Sequence, residues 1–339
     1  MAGMKYAVWN NKGGVGKTFV TFVTACEYAR QHSDEMVVIV DMCPQANISE
    51  ITLGGNGTGS ANLEALLDEK DRKTVGGYFD ERISSPHKIT GNEVSYLIQA
   101  SQYNKNLDEN IYLIAGDPSL EIQGQAINQI AAQTLPADSW KNVHNWLKDL
   151  LDAVARRHSN ATFFVDCNPS FSAYTELAVV ASDKVIVPCT ADGSSARAIS
   201  NIGQLLYGVD VPSSYSGVNF TARAGQARIP LPTLHAIPLN RSTQYDKKAS
   251  KAFSAMYDEI KNRVDRLRAQ KSNCISAPDE NLFLDIPDAH SVSVVTSHIG
   301  IPLHQIKLGK YKIHDEETQV PRESLERYRT AVEGLVALL

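Results

Sequence analysis

A nine-residue run, Asn10-Asn11-Lys12-Gly13-Gly14-Val15-Gly16-Lys17-Thr18, constrains this chain more than any other feature. An apolar stretch, Tyr6–Trp9, leads into it, and a helical pattern, Thr18–Gln31, follows at once. Glycines let the backbone curl so that successive N–H groups face one anion, and the helix N-terminus adds its dipole. Lys17 then supplies a cation for the β- and γ-phosphates of a nucleotide, and the Thr18 hydroxyl is a ligand for Mg²⁺. Strand, glycine loop and helix stand in the order that this chemistry requires.

The rest of the chain continues the alternation. Apolar runs at Met36–Val40, Ile111–Ala115, Thr162–Val165, Lys184–Val187, Leu234–Leu239 and Leu282–Asp285 read as strands, several with no polar alternation, as in strands covered on both faces. Helical stretches include Trp140–Arg156, Ala196–Tyr207 and Gln244–Ala269. This order predicts an α/β fold: a doubly wound, mostly parallel sheet with helices on both faces and ligands at the carboxyl ends of the strands. Residues 1–339 are expected to form one such domain, with surface insertions near 54–110, 208–229 and 270–279. Within the first, the glycine-rich Gly54–Ser60 reads as a mobile surface loop, because no strand leads into it.

The loop departs from the general phosphate-binding pattern in an informative way. Asn11 stands where a glycine is usual, and Lys12 directly precedes the two glycines. With this deviant Walker A form the chain resembles the ParA/MinD family of dimeric, P-loop NTPase-fold ATPases. The resemblance implies that Lys12 reaches across a homodimer formed on ATP binding to the partner's nucleotide, much as an arginine finger does. Val38-Ile39-Val40-Asp41-Met42-Cys43-Pro44-Gln45-Ala46-Asn47 is similar to the family's first switch, and Thr162-Phe163-Phe164-Val165-Asp166-Cys167-Asn168-Pro169-Ser170 to its Walker B strand and second switch. Ile237–Arg241 and Ile286–Asp288 look like its adenine-side segments. The implied cofactors are ATP and Mg²⁺. Implied catalytic residues are Lys12, Lys17, Asp41 and Asp166. The nucleotide would be held by Lys12, Gly13, Gly14, Val15, Gly16, Lys17, Thr18, Phe19, Asn240, Pro287 and Asp288, and the metal by Thr18, Asp41 and Asp166.

Two residues break the family's pattern. Phe19 replaces a usual Thr or Ser, which removes one hydroxyl contact. Cys43 replaces the second switch Asp, which positions the attacking water. A neutral thiol is a weak acceptor and neither holds nor deprotonates water as a carboxylate does. Slow hydrolysis with intact ATP binding is the expected consequence, unless a residue such as Asn168 substitutes.

Formal net charge is −5, which on average argues against a nucleic-acid partner. The average conceals a segment. Residues 241–271 hold nine cations and four anions, a net +5 that leaves −10 on the remainder. Tyr245, Ala249, Phe253, Met256, Ile260, Val264 and Leu267 recur at helical spacing as a buried stripe, which turns the cations toward solvent. Either this is a solvated face or it is a non-specific DNA surface, for which Lys247, Lys248, Lys251, Arg263 and Arg266 are the candidates. The resemblance implies the latter, with DNA segregation or cargo positioning as the role and a ParB-like or other adaptor as the partner that stimulates hydrolysis.

Other classes fit less well. Five scattered cysteines without a CxxC pair suit a reducing cytoplasm, and a nucleoid-associated location follows from the DNA reading. No apolar run approaches the roughly 18–20 residues that span a bilayer. A first strand so close to Met1 is not expected to follow a helix-turn-helix. Residues Pro321–Leu339 carry Leu325, Tyr328, Val332, Leu335 and Leu338 on one face and read as a packed helix, so no membrane contact is expected. The competing readings are a MinD-like membrane-positioning switch, an ATP-binding dimer with little turnover, and a carboxylate-activating ligase, against which Lys12 counts.

Overall fold

The computed structural model describes residues 3–190, 192–242, 244–245, 248–249, 251–276 and 278–339; side chains of 241–254 and of 279–280 are outside that description. Its strands are β1 (Lys5–Val8), β2 (Met36–Met42), β3 (Ile98–Gln99), β4 (Ile111–Ile114), β5 (Ala161–Cys167), β6 (Lys184–Ile186), β7 (Cys189–Thr190), β8 (Thr233–Ser242), β9 (Gln244–Tyr245), β10 (Lys248–Ala249), β11 (Phe283–Pro287), β12 (Gly309–Ile313) and β13 (Glu316–Val320). A nine-stranded sheet runs β11-β8-β6-β1-β5-β2-β4-β3, with β7 also on β8. All its pairings are parallel except β3 with β4. The expected doubly wound α/β fold is therefore what forms.

The apolar runs explain the layering. Every residue of β5 is buried, because alternate side chains enter different cores. Phe163 and Val165 join Val38, Val40, Met42 and Trp146 on one face. Phe164 joins Val37, Ile39, Phe22 and Tyr328 on the other. The second core includes the C-terminal helix Arg322–Val336, whose Leu325, Tyr328, Val332 and Leu335 are buried, as the periodicity predicts. β1 sits between β5 and β6, so the loop after Val8 leaves from the middle of the sheet.

Two sequence expectations need correction. The segment Gly54–Ser60 is not a free loop: helix Thr58–Asp68 begins within it, and Gly55 and Gly59 are buried. Gly55 has φ +79°, and a Cβ there would collide with the His298 carbonyl of helix His290–Ile299. Its glycines serve close packing, a role that periodicity does not reveal. The helix expected over Gln244–Ala269 starts only at Lys251, because β9 and β10 pair with each other ahead of it. From Lys251 to Gln270 the helix packs on helix Gly193–Tyr207 through Ile260, Val264 and Leu267.

Gly55→Ala is expected to destabilise the fold by at least about 2 kcal/mol, from left-handed strain and the backbone collision together. Gly225→Ala, in helix Phe220–Ala227 with open space around it, should stabilise by about 0.5–1 kcal/mol. Urea unfolding of both variants checks the pair; shifts of the same sign would contradict the packing role of Gly55.

Candidate functional site: a phosphate loop beside two buried carboxylates

Parallel pairing sets the site. Val8 lies opposite Asp166 on β5, and Asp166 lies opposite Asp41 on β2, so one sheet edge presents the loop and both carboxylates. Asn240 on β8 pairs in register with Ile286 on β11, which brings the later segments to the same edge.

The loop runs from Asn10 to Gly16, and helix Lys17–Gln31 starts directly behind it. Gly16 has φ +84°, a left-handed step that turns the chain into the helix, and a Cβ there would collide with the Asn240 amide. Asn240 Nδ2 donates to the Val15 carbonyl at 2.9 Å. Asn10 Nδ2 donates to the Pro188 carbonyl at 2.7 Å, and its Oδ1 accepts the Lys12 N–H at 2.9 Å. The loop is thus braced from β8 and from the link between β6 and β7.

Its two lysines have different surroundings. Lys17 is buried, donates from Nζ to the Lys12 carbonyl at 2.8 Å, and is pulled below the usual amine range by burial, against the opposing charge of Asp166. Lys12 points away from the cradle. Its Nζ lies 2.5 Å from Asp192 Oδ2 and 2.9 Å from Thr190 Oγ1, and its side chain is 26% exposed. Asp192 also caps helix Gly193–Tyr207 by accepting the Ser195 N–H at 2.9 Å. These contacts hold Asp192 at about 2, although partial burial alone would raise it. Nothing in the motif singles out Asp192; its one sequence signal is an Asp directly ahead of a helical pattern.

The carboxylates are buried side by side. Asp166 accepts the Thr18 hydroxyl at 2.8 Å and the Thr21 hydroxyl at 3.3 Å. Burial, then the Asp41 charge, pushes Asp166 up to about 7, against the two hydroxyls and Lys17. Asp41 accepts the Cys43 N–H at 3.0 Å, the Ser49 N–H at 3.1 Å and the Ser49 hydroxyl at 2.7 Å. Burial raises it to about 6 despite those donors. It therefore ties down the turn after β2 as well as contributing charge. Two adjacent buried carboxylates and the Thr18 hydroxyl form a hard-oxygen set with no second full cation beside Lys17 among the described residues, which fits Mg²⁺ shared with phosphate oxygens. Asp166 and Thr18 would hold it, with Asp41 behind.

The pattern-breaking residues are now placed. The Cys43 thiol is half-buried and pushed up to about 12, by burial first and Asp41 second, so it stays neutral. Asn168, the candidate substitute, accepts the Ser170 N–H at 3.2 Å and donates to the Tyr174 hydroxyl at 3.0 Å, so its amide is already engaged. The Phe19 ring lies tilted against Tyr328, centroids 5.6 Å apart, which trades a hydroxyl for a contact with the C-terminal helix. Pro287 ends β11, and Asp288 next to it accepts the His290 N–H at 3.1 Å. Of the five DNA candidates, Lys247 and the side chains of Lys248 and Lys251 lie outside the described residues. Arg263 lies beside Lys12 in a shared cavity, whereas Arg266 pairs with Asp210 at 3.3 Å.

Asn240→Ala should weaken ATP binding about tenfold, because a buried carbonyl of the cradle loses its donor. Fluorescent-nucleotide titration measures this; wild-type affinity would show that Asn240 does not brace the loop.

Comparison with known proteins supports the fold. Apo McdA of Cyanothece shares the fold at TM-score 0.61 and 13% identity, over 97% of this chain and 99% of its own. A putative plasmid partition protein of Borrelia burgdorferi, bound to AMPPNP, has TM-score 0.55 and 15% identity over 100% of both chains. ParA of pnob8 has TM-score 0.53 and 16% identity over 84% of this chain and 81% of its own. No curated protein matches the sequence significantly. The family model described as an AAA domain, AAA_31, matches residues 4–211, more than half of the chain, and the protein belongs to that family of ParA-like P-loop ATPases.

Proposed function

We propose that this chain binds Mg·ATP, closes into a homodimer around two nucleotides, binds DNA non-specifically as that dimer, and drives the partition of DNA or the positioning of a cargo, with an adaptor protein stimulating hydrolysis. The observation that carries the reading is the divergence of the two loop lysines. Lys17 is committed to its own cradle, while Lys12 turns away from it, stays partly exposed and is left over for a role outside its own nucleotide site, which a second copy's nucleotide would supply. The structural relatives support it: one is named as a plasmid partition protein and another as ParA.

In this reading hydrolysis is attack of water on the γ-phosphorus, with the bond to the ADP oxygen breaking. Mg²⁺ would offset charge on the β- and γ-phosphates. Lys17 supports the same charge from below and Lys12 from the second copy, where exclusion of water strengthens both. Where the resemblance puts a carboxylate to orient the water, Cys43 stands as a neutral thiol. That observation favours a slow cycle, in which the ATP-bound dimer persists until a partner acts, and in the extreme an ATP-binding switch with little turnover.

Cys43→Asp should raise the basal ATPase rate several-fold, measured by phosphate release under saturating Mg·ATP. An unchanged or lower rate would show that the thiol is not the weak point. DNA binding by the wild-type chain should require ATP or AMPPNP, fail with ADP, and weaken steeply between two salt concentrations. Absence of binding with every nucleotide would overturn the partition reading.

A further inference from the structure

A cavity of about 440 Å³ opens between residues 211–220 and the helices Ala173–Val180 and Gly193–Tyr207. Its wall is apolar, built from Phe171, Leu205, Val211, Pro212, Val218 and Phe220. Among the described residues no Lys, Arg or His lines it, and neither does any residue of the phosphate loop. It is therefore distinct from the cavity at Lys12, which a second copy would cover.

The polar groups of this cavity are one-sided. Glu176 Oε2 accepts from His144 Nε2 at 2.8 Å, while Oε1 meets no donor among the described residues. Gln204 Nε2 donates to the Asp210 carbonyl at 3.3 Å. Asn219 Nδ2 donates to the Tyr215 and Ser216 carbonyls at 2.9 and 3.1 Å. The amide donors are thus engaged, and what remains is a carboxylate oxygen set in an apolar wall. An occupant that fits brings apolar surface and its own cationic N–H donors, as Leu or Phe beside Arg or Lys does.

The rim separates a peptide from a small molecule. Tyr215 and Val218 are 60% and 63% exposed and carry apolar surface outward from the cavity. A small molecule inside leaves them bare. A peptide segment covers them while it sets one anchor in the cavity, as amphipathic helices do in apolar grooves.

Phe171 joins this face to the nucleotide site. It directly follows Asn168-Pro169-Ser170 of the second switch, and Asn168 donates to the Tyr174 hydroxyl at 3.0 Å. The Phe171 ring meets Phe220 edge-on at 5.3 Å and lies tilted against Trp9, also at 5.3 Å. Trp9 is fully buried and immediately precedes Asn10, where the phosphate loop begins. An anchor pressed on Phe171 bears on both the second switch and the loop.

We infer that this face docks the partner that stimulates hydrolysis, through a segment that sets an apolar side chain against Phe171 and Phe220 and a Lys or Arg against Glu176. The inference rests on the partner-stimulated ATPase reading above and assigns that partner a place and a chemistry.

The test selects a displayed library of random twelve-residue peptides on the full chain with Mg·AMPPNP. Selected peptides are then synthesised, and their affinity is measured by anisotropy and their effect on phosphate release with Mg·ATP. They should pair Leu or Phe with Arg or Lys and raise phosphate release several-fold. Val218→Asp, at an exposed position, should weaken them at least about tenfold, and Glu176→Gln about fivefold. AMPPNP affinity and AMPPNP-driven dimerisation should be unchanged in both variants. An empty selection, acidic peptides, wild-type affinity in both variants, or bound peptides that leave phosphate release unchanged would overturn the inference. Loss of dimerisation in Val218→Asp would overturn it too, by assigning the face to the second copy. No phosphate release by the wild type, with or without peptide, would instead remove the ATPase reading on which the inference rests.

Discussion

The nucleotide edge depends on the parallel pairing of β1 between β5 and β6. That pairing delivers the loop after Val8 to the sheet's centre and sets Asp166 one strand away, with Asp41 beyond it. None of these groups is near another in sequence. A one-residue slip of β5 would exchange its two faces and carry Asp166 out of register with Val8 and Asp41. Phe163 and Val165 pack in one core and Phe164 in the other, so the observed register is the one in which both cores are filled. Hydrophobic packing therefore sets where the charges stand.

Charge compensation then gives the site its character. Two carboxylates with negligible exposure stand side by side, Asp166 alone opposed by Lys17, and both are pushed upward by burial, so the edge is short of positive charge. A divalent cation brought with a nucleotide's phosphates would satisfy it. Lys12 contributes nothing to this deficit, because Asp192 and Thr190 draw it to the other side of the loop. The same contact links the loop to the first turn of helix Gly193–Tyr207 and so to the cavity that Lys12 shares with Arg197 and Arg263.

Much of this was legible in the sequence, because the information is local there. Gly16, Lys17 and Thr18 occupy consecutive positions, and consecutive apolar residues mark a strand buried on both faces. Asp41 and Asp166 were readable as the last polar residues of such strands. What was hidden depends on pairing between distant segments. Asp192 meets Lys12 across 180 residues, and Asn240 meets Val15 across 225. Gly55 reads as loop flexibility until His298 is seen against it. The strand pair Gln244–Tyr245 with Lys248–Ala249 interrupts what amphipathic spacing presents as one helix, since a period of 3.6 cannot distinguish a helix from a short hairpin that precedes it. Net charge was the least informative quantity, because a sum over the chain erases the placement of Arg197 and Arg263 on one cavity.

On the proposed reading, ATP assembles two copies through Lys12. Light-scattering mass measurement with ADP and with AMPPNP tests this most directly. A mass near the 37.1 kDa of one chain with ADP, and twice that with AMPPNP in the wild type but not in Lys12→Ala, is the predicted result. A monomer under both nucleotides, or a dimer that Lys12→Ala leaves intact, would contradict it.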